Sequence, residues 1–382
     1  MKKNQRTTLI CTVGTSLFAS NLKYLSEETK EKPENWQEIK TAFNTKNWNQ
    51  LSQALQAVNP TQRICGAEIN TIEETIKKNK MDLSNLFFLV SDTEQGRDTG
   101  EFLKKYFEDR KDIKLNQIEY KVIEDLQDEQ PKKFKTSGLR NLVRQIGEYV
   151  QRVGGSNYCA LDATGGYKAQ IAIAVIIGQA LNMPVFYKHE RFSEIIDFPP
   201  LPINFDYSIL AQNAHLLTLL EKGKSFDSNE LKEIDSKLRV LLDIEIVENT
   251  ELYELNAIGQ IYLTTYRIQN PKALNLTEAI QNTRKAPTFG NDHHYPDGFK
   301  NFIQKVFNET KYIKTARSIS YSGQKSIKGT GFEVKKQENE QHKLIATYKH
   351  KDFGARCEFD LSDETLPSLT WAAEQLNRKY AD

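Results

Sequence analysis

Apolar runs alternate with helix-spaced segments along the first half of the chain. Thr8–Val13 is a short β-branched run, and Asn85–Val90 is continuously apolar, as in strands buried on both faces of a parallel sheet. Ser137–Val153 instead repeats apolar residues at helical spacing, which predicts an amphipathic helix. This alternation predicts an α/β domain with a Rossmann-like sheet over residues 1–206.

The other elements predicted in this domain follow the same alternation. They are helices from Leu17, at Cys65–Lys78 and from about Lys168, and strands at Lys114–Ile123, Tyr158–Leu161 and Met183–Lys188. The segment Phe198–Pro202 (FPPLP) closes the domain.

Residues 207–270 have the pattern of a winged helix. The predicted helices are Ala211–Lys222, Asp227–Ile234, Ser236–Leu242 and Ile258–Tyr266, and the predicted wing strands are Ile244–Glu248 and Leu252–Asn256. The third helix carries only Lys237 and Arg239 as basic residues. Phosphate contacts require a richer basic face, so a connector or dimer platform is favoured over DNA recognition.

The last third of the chain is predicted to contain a linker and a third domain. Residues 271–298 are punctuated by Pro and Gly and are predicted to be a linker. Residues 299–382 predict a small α+β domain with an antiparallel meander. Its elements are helices Phe299–Asn308 and Leu366–Tyr380, strands Thr315–Tyr321, Gly331–Gln337, Lys343–Lys349 and Ala355–Leu361, and a Ser/Gly/Lys loop at Ser322–Gly329.

Composition narrows the class of protein. The four cysteines are scattered without a CxxC pair, and no His has metal-ligand spacing, so neither disulfides nor a metal is expected. No apolar run approaches the length of a membrane span, and we expect a cytoplasmic protein. Net charge is +1, yet residues 311–356 hold 11 Lys and Arg against 4 acids, which indicates a segment that contacts a polyanion.

Asn157–Leu181 carries the clearest candidate chemistry. A strand-like run ends at Asp162, a Gly-Gly-Tyr-Lys turn follows, and a helix begins at once, so backbone N–H groups and one lysine are presented together. Residues 12–16 and 91–97 also follow predicted strands, and the carboxyl ends of parallel strands are where doubly wound folds bind ligands. The sequence therefore predicts a phosphate site at this edge.

Six segments, in this order, resemble the CARF domain of type III CRISPR ancillary proteins, in the subgroup that includes ring nucleases. They are CTVGTSLF (11–18), CGAEINTIEE (65–74), SDTEQGR (91–97), FKTSGLRNLVRQI (134–146), DATGGYKAQ (162–170) and FPPLP (198–202). The resemblance implies a Rossmann-like homodimer whose two-fold axis forms a pocket for a cyclic oligoadenylate. The allosteric ligand would be cyclic tetra-adenylate, because a symmetric ligand suits a symmetric cleft. The resemblance implies no other cofactor.

The resemblance also implies site residues. It places Thr12, Gly14, Thr15 and Ser16 around ribose and phosphate, Asp92, Thr93 and Arg97 near the adenines or the dimer seam, and Thr164, Gly165, Gly166, Tyr167 and Lys168 at the phosphates. In the ring-nuclease subgroup, a serine like Ser16 and a lysine like Lys168 are associated with slow cleavage of the ligand. The chemistry needs no metal if a ribose 2′-OH attacks its own phosphate while the lysine stabilises the added charge. Binding without cleavage is the alternative for Lys168, and helix capping is the alternative for Ser16.

The effector chemistry is a separate question. A HEPN ribonuclease is disfavoured, because no His follows an Arg at the spacing that its motif requires. A PD-(D/E)xK nuclease would have to combine Asp297 with Glu333 and Lys335, a pattern too short to define a metal site.

The meander with its basic loop is similar to a RelE-family ribonuclease, which implies metal-independent cleavage of mRNA in the ribosome. Lys and Arg would neutralise the scissile phosphate and stabilise the leaving oxygen. The candidates are Arg317, Lys325, Lys328, Tyr348, Lys349, His350 and Arg356. A solvated surface position is the alternative for each of them, and His350 departs from the His-poor pattern of that family.

These interpretations combine into a CARF–winged helix–RelE-like homodimer. Cyclic tetra-adenylate would activate an mRNA ribonuclease by shifting a conformational population, and cleavage of the ligand at Lys168 would limit the response. Two other functions stay open. One is a ligand-responsive transcription regulator that binds DNA through Lys237 and Arg239. The other is a stand-alone ring nuclease in which residues 299–382 are accessory.

Overall fold

A computed structural model describes residues 6–189, 194–228, 231, 234–291, 294–319, 329–337, 340–351 and 353–381. The chain divides into two compact units, Met1–Phe205 (unit 1) and Asp206–Asp382 (unit 2). Within the described ranges, no helix has both the length and the apolar character that crossing a bilayer requires.

Unit 1 is an α/β domain, as its alternating pattern predicts. Its strands are β1 (Thr8–Thr12), β2 (Asn85–Val90), β3 (Gln117–Val122), β4 (Cys159–Asp162), β5 (Val185–Tyr187) and β6 (Ile196–Phe198). Its helices are α1 (Trp36–Asn44), α2 (Trp48–Gln56), α3 (Ala67–Lys77), α4 (Glu94–Glu108), α5 (Pro131–Lys133), α6 (Leu139–Arg152) and α7 (Lys168–Ala180). Two π-helical segments, Leu17–Leu22 and Phe134–Gly138, and two short 3-10 helices, Arg63–Cys65 and Ser156–Tyr158, are also present.

One six-stranded sheet organises unit 1, in the order β3-β2-β1-β4-β5-β6. The first five strands are parallel, and β6 pairs antiparallel with β5. The strand order reverses between β1 and β4, where Cys11 of β1 lies opposite Asp162 of β4. Such a reversal opens a crevice at the carboxyl ends of the two strands. The edge strand β6 is only three residues long, too short for a sequence pattern to predict.

Unit 2 contains two sheets. Its first elements are α8 (Ser208–Gln212), α9 (Ala214–Glu221), β7 (Phe226–Asp227), α10 (Ser236–Arg239), β8 (Leu242–Val247), β9 (Thr250–Leu255) and α11 (Ala257–Gln269). These are followed by α12 (Phe299–Glu309), β10 (Ile313–Ile319), β11 (Gly331–Lys336), β12 (His342–His350), β13 (Phe353–Leu361) and α13 (Leu366–Tyr380). The strand orders are β7-β9-β8 and β10-β13-β12-β11.

Three predicted helices of unit 2 differ in the structure. The helix expected over Ala211–Lys222 is broken at Asn213 into α8 and α9. The helix expected over Ser236–Leu242 ends at Arg239, because Leu242 enters β8 and pairs with β9. The start of the predicted Asp227–Ile234 helix lies in strand β7, and residues 229–230 and 232–233 are outside the described ranges.

The four-stranded sheet has one helix-covered face and one polar face. Phe332, Leu344, Ala346 and Phe359 point to the covered face, where α12 and α13 add Phe299, Ile303, Leu369 and Ala372 to a common core. Residues of opposite parity point away from that core. The polar face, as defined here, consists of residues 315, 317 and 319 of β10, 331, 333 and 335 of β11, 343, 345, 347 and 349 of β12, and 354, 356, 358 and 360 of β13.

A buried ion-pair network joins α9, α11 and α13. Arg267 of α11 donates to both carboxylate oxygens of Glu221, at 2.8 and 2.6 Å, and to Glu374 of α13 at 2.5 Å. The Arg267 side chain is 16% exposed, and those of Glu221 and Glu374 are 12% and 9% exposed. These charges tie residues 207–270 and 299–382 into one compact unit.

Residues 279–290, called the strap below, run beside β10. The backbone N–H groups of Lys285 and Thr288 donate to the carbonyls of Lys314 and Ala316, and Ser318 N–H donates back to Thr288. The sequence predicts a linker here because Pro and Gly interrupt every periodicity. The structure gives the segment the backbone partners of an edge strand, with a parallel bridge between Thr288 and Arg317.

Candidate functional site

The switch-point crevice lies between the loop after β1 (residues 13–16) and the glycine turn after β4 (residues 163–167). The two loops are in direct contact, because Thr12 Oγ1 donates to the Gly165 carbonyl at 2.6 Å. A Cβ on Gly165 would lie 2.6 Å from Gly14 N and 2.9 Å from Thr12 O. Only glycine fits between these backbones, which explains the residue type at the centre of the turn.

Lys168 begins α7 directly after the glycine turn. Its side chain is exposed, and its ammonium group has no ion-pair or hydrogen-bond partner among the described residues. The first-turn amides of α7 have no acceptors within the helix, and the helix dipole is positive at this end. The predicted combination of an unpaired lysine, a glycine turn and a helix N-terminus is therefore present in one place, and it suits an anion.

Ser16 lies on the opposite loop of the crevice. It precedes the π-helical segment Leu17–Leu22, yet its hydroxyl makes no capping hydrogen bond. The Thr15 carbonyl accepts from Phe18 and Ala19 N–H instead. The exposed Ser16 hydroxyl is thus not used for capping in this structure.

The predicted ligand-binding residues at the end of β2 form hydrogen bonds with other residues of unit 1. Asp92 accepts two hydrogen bonds from Arg97 on one oxygen, at 3.1 and 2.5 Å, and one from Asp125 N–H on the other. Thr93 caps α4 by accepting from Gly96 N–H at 3.0 Å. These contacts give Asp92, Thr93 and Arg97 structural roles on their own loop.

Helix α3 presents a buried polar stripe beneath the crevice, which the site prediction missed. Glu68 accepts from Gly14 N–H at 2.9 Å, and the Thr71 hydroxyl lies 3.0 Å from that of Thr164. Glu74 forms an ion pair with Lys188, whose N–H donates to Thr164 Oγ1 at 3.0 Å. The sequence signal was a Glu, a Thr and a Glu at successive positions three residues apart, which one face of a helix brings together.

Two buried carboxyl groups lie below the glycine turn. Glu68 and Asp162 are both fully buried, and Glu68 Oε2 and Asp162 Oδ2 have no hydrogen-bond partner in the described part of the chain. Burial raises the pKa of Glu68, and burial together with the charge of Glu68 raises the pKa of Asp162 to about 7. Burial likewise raises the pKa of the neighbouring Cys11 thiol.

The raised pKa of Asp162 predicts a pH-dependent stability. The folded protein binds this proton more tightly than the unfolded chain, so the free energy of unfolding should fall as pH rises from about 4 to about 7 and then level off. In Asp162→Asn the part of this slope that comes from Asp162 disappears, and only the contribution of Glu68 remains. Between pH 5.5 and 7.5 the wild type should lose about 2 kcal/mol more than the variant.

Urea unfolding of the full chain measures this difference. In a Trp371→Phe background, Trp36 and Trp48 report on unit 1 alone, because the chain has three tryptophans. The matched control is Asp82→Asn, which changes an exposed carboxylate and should keep the wild-type slope. Parallel pH profiles for wild type and Asp162→Asn would contradict the expectation.

Both π-helical segments of unit 1 flank the crevice. Leu17–Leu22 follows Ser16, and Phe134 of the second segment contacts Tyr167 of the glycine turn, with ring centroids 5.1 Å apart. π-Helical turns are rare and concentrate at functional sites. Both π-helical segments therefore lie at the same edge of the sheet as the glycine turn, which supports the crevice as the candidate site.

In unit 2 the structure separates the predicted effector residues by strand parity. Arg317, Lys349 and Arg356 lie on the polar face, where Arg317 pairs with the buried Glu358 at 2.7 Å. Tyr348 has the opposite parity, and its hydroxyl donates to the Asp297 carbonyl at 3.0 Å. His350 shares that parity at the end of β12. Lys325 and Lys328 lie outside the described residues.

The residues of the metal-dependent alternative do not converge. Glu333 and Lys335 lie on the polar face and pair with each other at 3.0 Å, whereas Asp297 lies beside Tyr348 on the covered face. Among the described residues, no group of three or more His, Cys, Asp or Glu is arranged to hold a metal ion.

Comparison with known proteins relates the first unit to one family. Residues 63–201, a little over a third of the chain, match a family described as CRISPR-associated protein (Cas_APE2256). The matched region contains α3, the glycine turn and Lys168. No curated protein matches the sequence.

Among solved structures, the chain is similar to Can2 from Sulfobacillus thermosulfidooxidans, solved in complex with cyclic tetra-adenylate (cA4). The likeness has 10% sequence identity and a TM-score of 0.25, and it covers 72% of this chain and 69% of that chain.

Proposed function

We propose that the chain is a type III CRISPR ancillary protein in which unit 1 binds a cyclic oligoadenylate and unit 2 cleaves RNA without a metal. The observation that carries the first half is the exposed Lys168 at the start of α7, directly after the glycine turn and without an ion-pair or hydrogen-bond partner among the described residues. A cyclic oligoadenylate is a polyanion, and its phosphates match these donors. The similarity of residues 63–201 to a CRISPR-associated family supports this class of ligand.

A homodimer forms part of the proposal. Ile171, Val175 and Ile176 of α7 are only half-buried, and Phe198 and Leu201 beside them are 38% and 53% exposed. Gln179 fastens α7 to this edge by bonding Pro199 and Leu201. Large apolar patches on a surface favour association, and a two-fold partner would place a second crevice beside the first.

RNA cleavage is assigned to the polar face of the four-stranded sheet. Arg317, Lys349 and Arg356 present cations there, on three adjacent strands, and the Arg317 side chain is 65% exposed. Cations in fixed positions stabilise the charge that develops on a scissile phosphate. The carboxylate of Glu358 holds Arg317 in place on the sheet.

The polar face gives a direct mutational prediction. Arg317→Ala should slow ligand-activated RNA cleavage by about 100-fold, the usual cost of removing one preorganised transition-state donor. The matched control is Lys311→Ala, because Lys311 is 69% exposed and also ion-paired, to Glu278, but precedes β10. Single-turnover cleavage rates under saturating ligand measure both. Equal rates for the two variants would remove Arg317 from the site.

One experiment tests the whole proposal. The purified full chain is incubated with cyclic tetra- and hexa-adenylate, together with naked RNA or with translating ribosomes, and cleavage of message and ligand is read in parallel. Message cleavage only with ribosomes is the expected result for a RelE-like effector. Loss of ligand without message cleavage would indicate a stand-alone ring nuclease. Cleavage of naked DNA on addition of manganese would overturn the metal-independent assignment.

The transcription-regulator alternative has little support in unit 2. The β8–β9 hairpin and its flanks, residues 240–256, contain five acids and no Lys or Arg. Lys237 of α10 is paired with Asp206 at 3.2 Å. An acidic hairpin repels a phosphate backbone, so this sheet is better suited to a structural or protein-contact role.

A further inference from the structure

Tyr167, the last residue of the glycine turn, forms an aromatic pair with Phe134, a residue that has no role in the anion site described above. The rings of Tyr167 and Phe134 lie edge to face, with an interplanar angle of 81° and centroids 5.1 Å apart. The Tyr167 hydroxyl donates to Asp128 at 3.1 Å, which fixes the orientation of the tyrosine ring. Both side chains are half-buried, so each ring keeps surface open to solvent.

Phe134 stands out in its own sequence. It lies in the charged segment DEQPKKFK, and every other residue from 128 to 135 is exposed. An apolar ring among exposed lysines and acids is not explained by the packing of a helix face. Its position next to the turn that holds Lys168 points to a contact with a ligand.

The backbone holds Phe134 in a defined place. It begins the π-helical segment, which ends at Gly138. A Cβ on Gly138 would lie 2.6 Å from the Asp125 carbonyl, so this end of the segment packs directly on the loop after β3. The π-helical segment is therefore held at both ends, at Phe134 by Tyr167 and at Gly138 by Asp125. These contacts restrict the movement of the phenylalanine ring.

We propose that Phe134, supported by Tyr167, is the base-stacking subsite of the switch-point crevice. This inference rests on the proposed function and assigns the recognition of the nucleobase to a residue outside the phosphate turn. Phe134 stacks edge to face on Tyr167, and Tyr167 directly precedes Lys168 in the chain, with Cα atoms about 3.8 Å apart. A nucleotide has the same two parts, a flat base and a phosphate, joined through a sugar.

Stacking also accounts for the choice of side chain. Every base has a π-face, and aromatic residues bind bases by stacking in many single-strand sites. Lys133 and Lys135, on either side of Phe134 in the chain, add positive charge to this segment. The subsite would therefore favour adenine through its large ring system, while Lys168 recognises phosphate irrespective of the base.

Three replacements at this position test the inference. Phe134→Leu keeps apolar bulk but removes the π-face, Phe134→Ala removes both, and Phe134→Trp restores a larger aromatic face. Titration calorimetry with cyclic tetra-adenylate should show affinity reduced by roughly 5- to 100-fold in the Leu and Ala variants and retained in the Trp variant. Tryptophan emission of Phe134→Trp should be quenched on ligand binding, relative to the wild type.

The outcomes separate this inference from the function on which it rests. If the wild type does not bind cyclic tetra-adenylate, the proposed function and the subsite fall together. If the wild type binds and Phe134→Leu binds equally well, the ring serves packing alone and the subsite is overturned. Melting temperatures of the unliganded variants are compared throughout, and unquenched emission in Phe134→Trp with unchanged affinity would also count against stacking.

Discussion

Replacing Lys168 by alanine should weaken binding of cyclic tetra-adenylate by roughly 100-fold or more. Lys168 is the exposed cation at the head of α7 without a partner among the described residues, so its full charge is available to phosphate. One charge-assisted hydrogen bond contributes about 1.5–3 kcal/mol, and a two-fold ligand would contact the lysine of each protomer. Titration calorimetry on the full chain measures the change.

Two controls make the Lys168 result specific. Lys111→Ala removes another exposed lysine of unit 1, after α4, and should bind the ligand as the wild type does. Lys168→Arg keeps the charge with a different shape, so it should retain much of the affinity but lose ligand cleavage if an aligned ammonium is needed. Wild-type affinity in Lys168→Ala would place the ligand elsewhere.

The second large effect concerns the stability of unit 2. Arg267→Ala should lower the free energy of unfolding by about 3 kcal/mol, because it leaves the buried Glu221 and Glu374 with only the half-exposed Arg378 as a shared cation. Burial raises the pKa of Glu221, but the bonds and charge of Arg267, helped by the charge of Arg378, outweigh burial and lower that pKa to about 2. Urea unfolding monitored by Trp371, in a Trp36→Phe and Trp48→Phe background, isolates unit 2.

Arg378→Ala provides the graded comparison for this network. Arg378 bonds the same two carboxylates, but its side chain is 44% exposed, and its loss should cost about 1 kcal/mol or less. A loss of under 1 kcal/mol for Arg267→Ala as well would mean that water replaces the guanidinium and that the network does not hold the helices together.

The elements that the sequence predicts best are those whose signal is local. The strand Asn85–Val90 was predicted with both ends as observed, because the polar residues on either side of this apolar run mark where the strand begins and ends. The positions of the glycine turn and of Lys168 at a helix start were also predicted from the sequence, because Gly-Gly between a strand and a helix is typical of a tight turn that leads into a helix N-terminus. In these stretches local preference and tertiary environment agree.

The features that the sequence did not predict depend on contacts between residues that are distant in the chain. Glu68 is a charged residue of an amphipathic-looking helix, and its sequence alone favours solvent; only the approach of residues 14 and 165 buries it. In β12, buried apolar residues lie on both faces, Leu344 and Ala346 on one and Ile345 on the other. The sequence therefore located the strand within one residue, and strand alternation already separates Lys349 from Tyr348. Only the packing of α12 and α13 shows which of the two faces belongs to the core.

The strap has a practical consequence for work on unit 2. It supplies hydrogen bonds to the outer side of β10, and without it that strand would present unpaired N–H and C=O groups. A fragment starting at Phe299, the boundary that the sequence suggests, would expose this bare edge and invite chains to pair with one another. Aggregation of such a fragment would therefore reflect where it was cut and would say nothing about the behaviour of the full chain.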